Sequence, residues 1–229
     1  MSRVVLALAL AACTGAEPVV QDKPVGPPSV KALSAPAAFL ASRVGGDRAK
    51  VENLVPAGED ASTWAPSGDV VVALGDADLI VANGAGYETW TKTATLPTAR
   101  LVDAARGLDL VEVQGQTHSH GKQGEHSHAE VDPRTWTDPA IFAQQAATVH
   151  AALVRVAPAG KDVYDANLAG LTTELEAVGA QLDTALASPG AKALVAGDES
   201  FRYLARRVGV EPAAAHPSGL DPLDGTQGG

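Results

Sequence analysis

Residues 78–84, Asp78-Leu79-Ile80-Val81-Ala82-Asn83-Gly84, are the stretch that decides the fold class. Four consecutive apolar residues followed by an Asn-Gly turn predict a short strand that is buried on both faces. The surrounding sequence predicts further strands over 30–34, 51–55 and 108–113, and helices over 36–44 and 69–74. Strands that alternate with helices indicate an α/β fold built on a parallel sheet.

Two longer helices are predicted beyond this region. The first covers 138–156 and has Pro139 in its first turn, where proline is tolerated. The second covers 161–186, and Gly170 and Gly179 weaken it without ending it. Its apolar residues are spaced by three, four and seven: Tyr164, Leu168, Leu171, Leu175, Val178 and Leu182. A strand over 193–196 and a helix over 200–208 follow.

The composition sets limits on function. The chain has 229 residues, 45% of them hydrophobic, which is enough for one large domain or two small lobes. Its formal net charge of −10 argues against a nucleic acid partner, because phosphates need clustered Lys and Arg. No Ser–His–Asp or Cys–His arrangement is evident, so an enzyme is not predicted.

The N-terminus predicts export and a lipid anchor. A short apolar run leads into Leu10-Ala11-Ala12-Cys13, which is typical of a lipobox, with Cys13 as the lipidated residue. Residues 1–13 are then a lipoprotein signal, and the Pro- and Gly-containing residues 14–29 are a tether. The expected location is extracytoplasmic, at a membrane of the periplasm or the cell surface. A plain secretory signal with a chance cysteine is the alternative.

Four of the six histidines lie in one polar stretch within residues 117–129: His118, His120, His126 and His128. No apolar periodicity runs through it, so it is predicted to be a solvated loop. Imidazole nitrogens suit zinc, and paired H-x-H steps let one ion reach several nitrogens, so we interpret this His-rich loop as a metal-capture segment. A solvated linker without a metal is the alternative.

Several segments together resemble a known family. They are Val51 to Asp60, Ala77 to Glu88, Asp132 to Pro139, Tyr164 to Leu168 and Ser200 to Gly209. The chain resembles the zinc/manganese-binding lipoproteins that feed metal ABC importers, in the zinc branch with a His-rich loop. The resemblance implies two α/β lobes of the periplasmic metal-binding-protein type, a long rigid helix between them, and a metal held in the cleft. It also implies a permease and an ATPase as partners, Zn²⁺ rather than Mn²⁺ as the ion, and a monomer.

The chain departs from the family at the metal ligands. The positions that match the family's three histidines are Ser62, Arg134 and Asp198, and Asp221 matches its acidic ligand. Arg134 has no lone pair to give to a metal, so an ion pair with Asp198 or Asp221 is expected instead. The resemblance therefore implies an altered interlobe site.

The resemblance also divides the chain. Residues 30–137 are expected to form an N-terminal α/β lobe, residues 138–188 a helical connector, and residues 189–229 an incomplete second lobe. Two functions follow: a solute-binding lipoprotein of a zinc importer, or a non-transporting scaffold or interaction lipoprotein derived from that family with no metal in the cleft.

Overall fold

A computed structural model describes residues 26–114, 118–119, 125–126, 129–197 and 199–211. At its centre is a parallel sheet of four strands: β1 (Ser29–Ala32), β2 (Lys50–Asn53), β3 (Leu79–Ala82) and β4 (Leu101–Asp103). The order across the sheet is β2–β1–β3–β4. The predicted parallel sheet is confirmed, whereas β4 is a three-residue run that no apolar pattern predicts.

Strand β3 is buried along its whole length because β1 and β4 flank it and an apolar cluster covers each face of the sheet. Leu79 and Val81 point into one apolar cluster, and Ile80 and Ala82 into a second. This alternation is the two-residue period of a strand, and burial on both faces explains why β3 has no polar face in the sequence.

In the described part of the chain, six α-helices accompany these strands: α1 (Ala35–Gly45), α2 (Gly68–Ala73), α3 (Pro139–Val156), α4 (Lys161–Ala185), α5 (Pro189–Ala196) and α6 (Arg202–Arg207). Helix α3 begins after Asp138, whose carboxylate accepts the Ala140 N–H at 2.8 Å and so caps the helix. Within the described residues, none of these helices has both the length and the apolar character needed to cross a membrane.

Helix α4 is the predicted long helix, and its 25 residues span about 37 Å. Its first half is fixed to the end of α1. The Tyr164 hydroxyl donates to the Arg48 carbonyl oxygen at 2.9 Å, and Asn167 donates to the Val44 carbonyl oxygen at 3.0 Å. The Tyr164 and Leu171 side chains are buried in the same cluster as α1 and α3, which confirms the apolar stripe on this part of the helix.

The strand predicted over 193–196 is wrong, because these residues lie in α5. Alanine, lysine and leucine favour a helix, and the Ser188 hydroxyl accepts the Ala191 N–H at 3.2 Å in the manner of an N-cap. A strand also needs a partner, and among the described residues no strand follows residue 131. Residues 189–197 and 199–211, which are the described part of the expected second lobe, therefore contain helices and no strand.

The predicted solvated loop over 117–129 is corrected only where the structure describes it, because residues 118–119, 125–126 and 129 lie in strands. Strand β5 (Glu112–Gln114) pairs with β8 (Ala129–Val131) in an antiparallel stalk. Between them in sequence, β6 (His118–Ser119) pairs with β7 (Glu125–His126), and we call this pair the His hairpin. Antiparallel backbone bonds pair polar residues as well as apolar ones, so no hydrophobic pattern announces such strands. The strand predicted over 108–113 begins only at Glu112.

Candidate functional site

Polar side chains gather where the strands of the parallel sheet end. Asn83 directly follows β3 and is fully buried. Its amide donates to the Pro133 carbonyl oxygen at 3.0 Å, and its Oδ1 accepts the Thr135 hydroxyl at 3.1 Å. Because these two bonds hold the residues on either side of Arg134, the end of β3 fixes the turn on which Arg134 lies.

The turn after Asn83 is held by a buried carboxylate. Glu88 is 2% exposed and accepts the N–H groups of Asn83 at 2.7 Å and Gly84 at 3.3 Å. Burial raises its pKa above the usual range, although the N–H bonds act in the opposite direction. Gly84 has a positive φ of 85°, and a Cβ there would lie 1.6 Å from Oδ1 of Asp103, so the position requires glycine.

Ser62 lies in a loop that is tied to the same edge. The Asp60 carboxylate accepts the Ser62 N–H at 2.8 Å and the Tyr87 hydroxyl at 3.3 Å, and the Thr89 hydroxyl donates to the Ser62 carbonyl oxygen at 2.7 Å. The Ser62 N–H lowers the pKa of Asp60. Burial first, and then the Asp60 charge, raise the pKa of Tyr87 to about 12.

Tyr87 contacts both the Ser62 loop and the Arg134 turn. Its hydroxyl contacts Asp60, two residues before Ser62. Its ring lies 4.8 Å from that of Trp136, two residues after Arg134. The Ser62 loop and the Arg134 turn thus contact the same tyrosine from different parts of the chain.

Arg134 forms an ion pair with Asp132, which was not predicted as its partner. Its Nε and Nη2 donate to the two carboxylate oxygens, each at 2.9 Å, in a bidentate arrangement. Asp132 is fully buried, and the Arg134 side chain is 29% exposed. The backbone N–H of Arg134 also donates to Asp132 at 2.9 Å. The guanidinium is therefore held rigidly at the position that the sequence resemblance matches to a histidine ligand.

A second arginine reaches the same carboxylate. Arg202 donates to Asp132 at 3.4 Å and to Glu199 at 2.8 Å, and Nη1 of Arg134 donates to the Ser200 hydroxyl at 3.3 Å. Two guanidinium groups around one carboxylate offer no free lone pair to a metal, and their charge opposes a cation. Chemically, this corner of the site is a closed ion-pair cluster.

Several of the proposed site residues lie outside the described residues: Cys13, His120, His128, Asp198 and Asp221. The backbones of His118 and His126 are directly opposite one another in the His hairpin. Considering only side chains that the structure describes, no three His, Cys, Asp or Glu groups come together in a way that could hold a metal. His150 on α3 contacts the Asp165 carboxylate at 2.7 Å, in line with a role on the helix face.

The residues that sequence reasoning missed share one property. Asp132, Glu88 and Asn83 all lie inside the segments that carry the family resemblance, but they have no pattern that separates them from surface residues. The sequence did offer one signal for the ion pair: Asp132 is an acidic residue two positions before Arg134.

Comparison with known proteins identifies the family of the chain. A family model described as zinc-uptake complex component A periplasmic matches residues 30–226. The chain is 26% identical over 182 residues to the high-affinity zinc uptake system protein ZnuA of Bacillus subtilis. This alignment covers 77% of this chain and 56% of that protein. It is 27% identical over 223 residues to the zinc-binding lipoprotein AdcA of Streptococcus pneumoniae, with coverage of 94% and 43%.

The fold is shared with a solved structure. Zn(II)-bound AdcA from Streptococcus pneumoniae matches with a TM-score of 0.67 at 23% identity, over 86% of this chain and 40% of that one. The chain spans about half the length of the curated relatives it matches. Because the family model covers nearly the whole chain, the resemblance seen in the sequence is confirmed, and the chain belongs to the family of zinc-uptake complex component A periplasmic proteins.

Proposed function

We propose that the chain is the extracytoplasmic solute-binding lipoprotein of a zinc ABC importer, with Zn²⁺ as its cargo. The family match and the two zinc-binding relatives support this role. Zinc is favoured over manganese because imidazole nitrogens suit zinc, whereas manganese is better matched by oxygen ligands. The proposed partners are a permease and an ATPase, and the proposed membrane attachment is a lipid on Cys13.

The backbone register of the His hairpin is the observation that carries the proposal. His118 pairs with His126. Directly opposite residues on antiparallel strands have Cβ atoms about 4.5–5.5 Å apart, and zinc binds imidazole nitrogen at about 2.0–2.1 Å, so two histidines in this relation can bind one ion. We propose His118 and His126 as the first two ligands. His120 and His128, each two residues further along the sequence, are proposed to complete four nitrogen ligands.

The second part of the proposal is that the interlobe position does not hold zinc. The bidentate bond between Arg134 and the buried Asp132 supports this, because a fixed guanidinium replaces an imidazole there. The other three positions that the resemblance matches to metal ligands offer no nitrogen ligand, because they are Ser62, Asp198 and Asp221. We therefore propose that zinc binds in the His-rich segment instead.

Calorimetric zinc titration of the full chain tests both parts. We expect the intact chain to bind zinc and a variant lacking residues 117–129 to bind none. His150→Gln is the matched control, because it removes a histidine outside this segment, and its zinc stoichiometry should equal that of the unaltered chain. Zinc retained by the deletion variant would locate a metal site elsewhere and contradict the proposal.

A second function, a scaffold or interaction lipoprotein without metal in the cleft, is favoured by the same Arg134–Asp132 pair. On that view the pair and Arg202 hold segments of the fold together, and the histidines have no role. The titration separates the two functions, because an intact chain that binds no zinc supports the scaffold and rejects the importer.

A further inference from the structure

Helix α6 contacts both segments at the base of the stalk. The Tyr203 hydroxyl donates to the Asp132 carbonyl oxygen at 2.7 Å and accepts the Val111 N–H at 3.4 Å. Val111 directly precedes β5 and Asp132 directly follows β8, and the Asp132 N–H donates to the Val111 carbonyl oxygen at 2.8 Å. The fully buried Tyr203 phenol therefore bonds to both residues that border the stalk, Val111 before β5 and Asp132 after β8.

Two arginines of the same helix strengthen this contact. Arg206 donates to the Asp109 carbonyl oxygen at 3.0 Å and to its carboxylate at 3.4 Å, and the Arg206 guanidinium lies 5.3 Å from the centre of the Tyr203 ring. Arg202 donates to the carboxylate of Asp132. Helix α6 thus contacts residues on both sides of segment 112–131, which contains the stalk and the four histidines.

A two-stranded hairpin needs such support. Isolated pairs of short strands are marginally stable in water, and only three and two residues separate the His hairpin from the stalk in sequence, so we expect its register to depend on the stalk. A ligand that must order its own site binds more weakly than one that meets a site already ordered. Fixing the base of the stalk therefore lowers the entropy lost when an ion bridges the two strands.

We propose that Tyr203 is a positioning residue for metal capture, so that docking of α6 on the stalk and zinc binding by the His hairpin favour each other. This inference rests on the proposed function, because it takes the hairpin as the zinc site. Thermodynamic linkage requires the effect to be reciprocal: the factor by which docked α6 raises the zinc affinity is the factor by which zinc raises α6 docking. Couplings of this kind are commonly about 5- to 150-fold.

The test compares Tyr203→Phe with Tyr164→Phe in the full chain. Each substitution keeps a buried ring and removes one hydroxyl that donates to a backbone carbonyl, at Asp132 and at Arg48 respectively. We expect Tyr203→Phe to weaken zinc binding by about fivefold or more in calorimetry, and Tyr164→Phe to leave it unchanged. In the unaltered chain, zinc should slow amide hydrogen exchange over residues 129–132 and 202–208.

Three results overturn the inference. Equal zinc affinities for the two variants and the unaltered chain would show that the Tyr203 hydroxyl does not position the site. Zinc binding without any change of exchange over residues 202–208 would show that α6 and the hairpin are independent, and this measurement needs no variant to fold. An unaltered chain that binds no zinc would reject the proposed function as well, so the two failures are distinguishable.

Discussion

Glu88 brings a carboxylate into the interior of the fold. Because burial disfavours its charged form, its pKa lies above the usual range, even though two backbone N–H groups favour the ion. The carboxylate holds the turn of residues 84–86, whose three backbone φ angles are all positive. The turn next to the Arg134 site therefore depends on a group that is costly to ionise.

The first prediction concerns the pH dependence of stability. A carboxyl whose pKa is raised in the folded state contributes stability that is complete below its unfolded pKa and is lost as pH rises through its folded pKa. Above about pH 4.5, Glu88 should therefore lower the free energy of unfolding with increasing pH, by at most about 1.4 kcal/mol per pH unit. Glu88→Gln should lack this loss.

Urea unfolding of both proteins between pH 4 and 8 measures the effect. Burial also raises the pKa of Asp103, and its contribution has the same sign but is present in both proteins, so the difference between them isolates Glu88. Parallel stability curves would contradict the assignment.

At the scale of elements, Arg207 joins three parts of the fold. Its Nε and Nη2 donate to the Asp183 carboxylate on α4 at 2.7 and 2.9 Å, and its Nη1 donates to Asp138, the cap of α3, at 3.1 Å. The Asp183 bond raises the pKa of Arg207, and Arg207 lowers that of Asp183. The guanidinium passes over Gly179, where a Cβ would lie 2.8 Å from Nη2.

Apolar periodicity predicts long helices well and short ones poorly. Helix α4 was predicted to within a residue because its apolar stripe runs through many turns. The short α5 was mistaken for a strand, since four residues carry no period. Gly170 and Gly179 look alike in the sequence, and only the position of Arg207 separates them.

Alanine substitutions at these two glycines should have opposite effects on stability. Gly170 is exposed, and a Cβ at this position would meet no other atom within 4 Å, so Gly170→Ala should raise the free energy of unfolding by about 0.5–1 kcal/mol. Gly179→Ala should lower it, because the new methyl group displaces Arg207 from Asp183. Thermal unfolding and hydrogen exchange over 202–208 check this, and equal gains in the two variants would contradict it.

At the scale of the whole molecule, the core and the C-terminal helices are built differently. The two large apolar clusters draw on residues between 30 and 175, whereas the buried Val195, Tyr203 and Ala205 lie outside them. Apolar patterns therefore predicted strands β1 to β3 and the long helix, whereas Ser62 and Arg134 were singled out by the family resemblance. Attachment of α6 depends on single polar contacts between distant residues, and such contacts leave no pattern in the sequence.

This difference predicts the result of removing residues 189–229. Since both clusters remain, the shortened chain should keep one cooperative unfolding transition, at a lower midpoint because the contacts of Arg207 and Tyr203 are lost. The three tryptophans, Trp64, Trp90 and Trp136, all precede the deletion, so near-UV circular dichroism reports on the remaining core.

Leu171→Ala in the full chain is the comparison, because it alters the core and leaves α6 in place. Leu171 is buried in the larger cluster, and the substitution should lower the free energy of unfolding by about 2–5 kcal/mol without changing hydrogen exchange at the stalk relative to the rest of the lobe. The deletion should instead speed exchange over 129–132 selectively, since Tyr203 no longer joins Val111 to Asp132. A shortened chain without a tryptophan signal or a cooperative transition would mean that the C-terminal helices are part of the folding core.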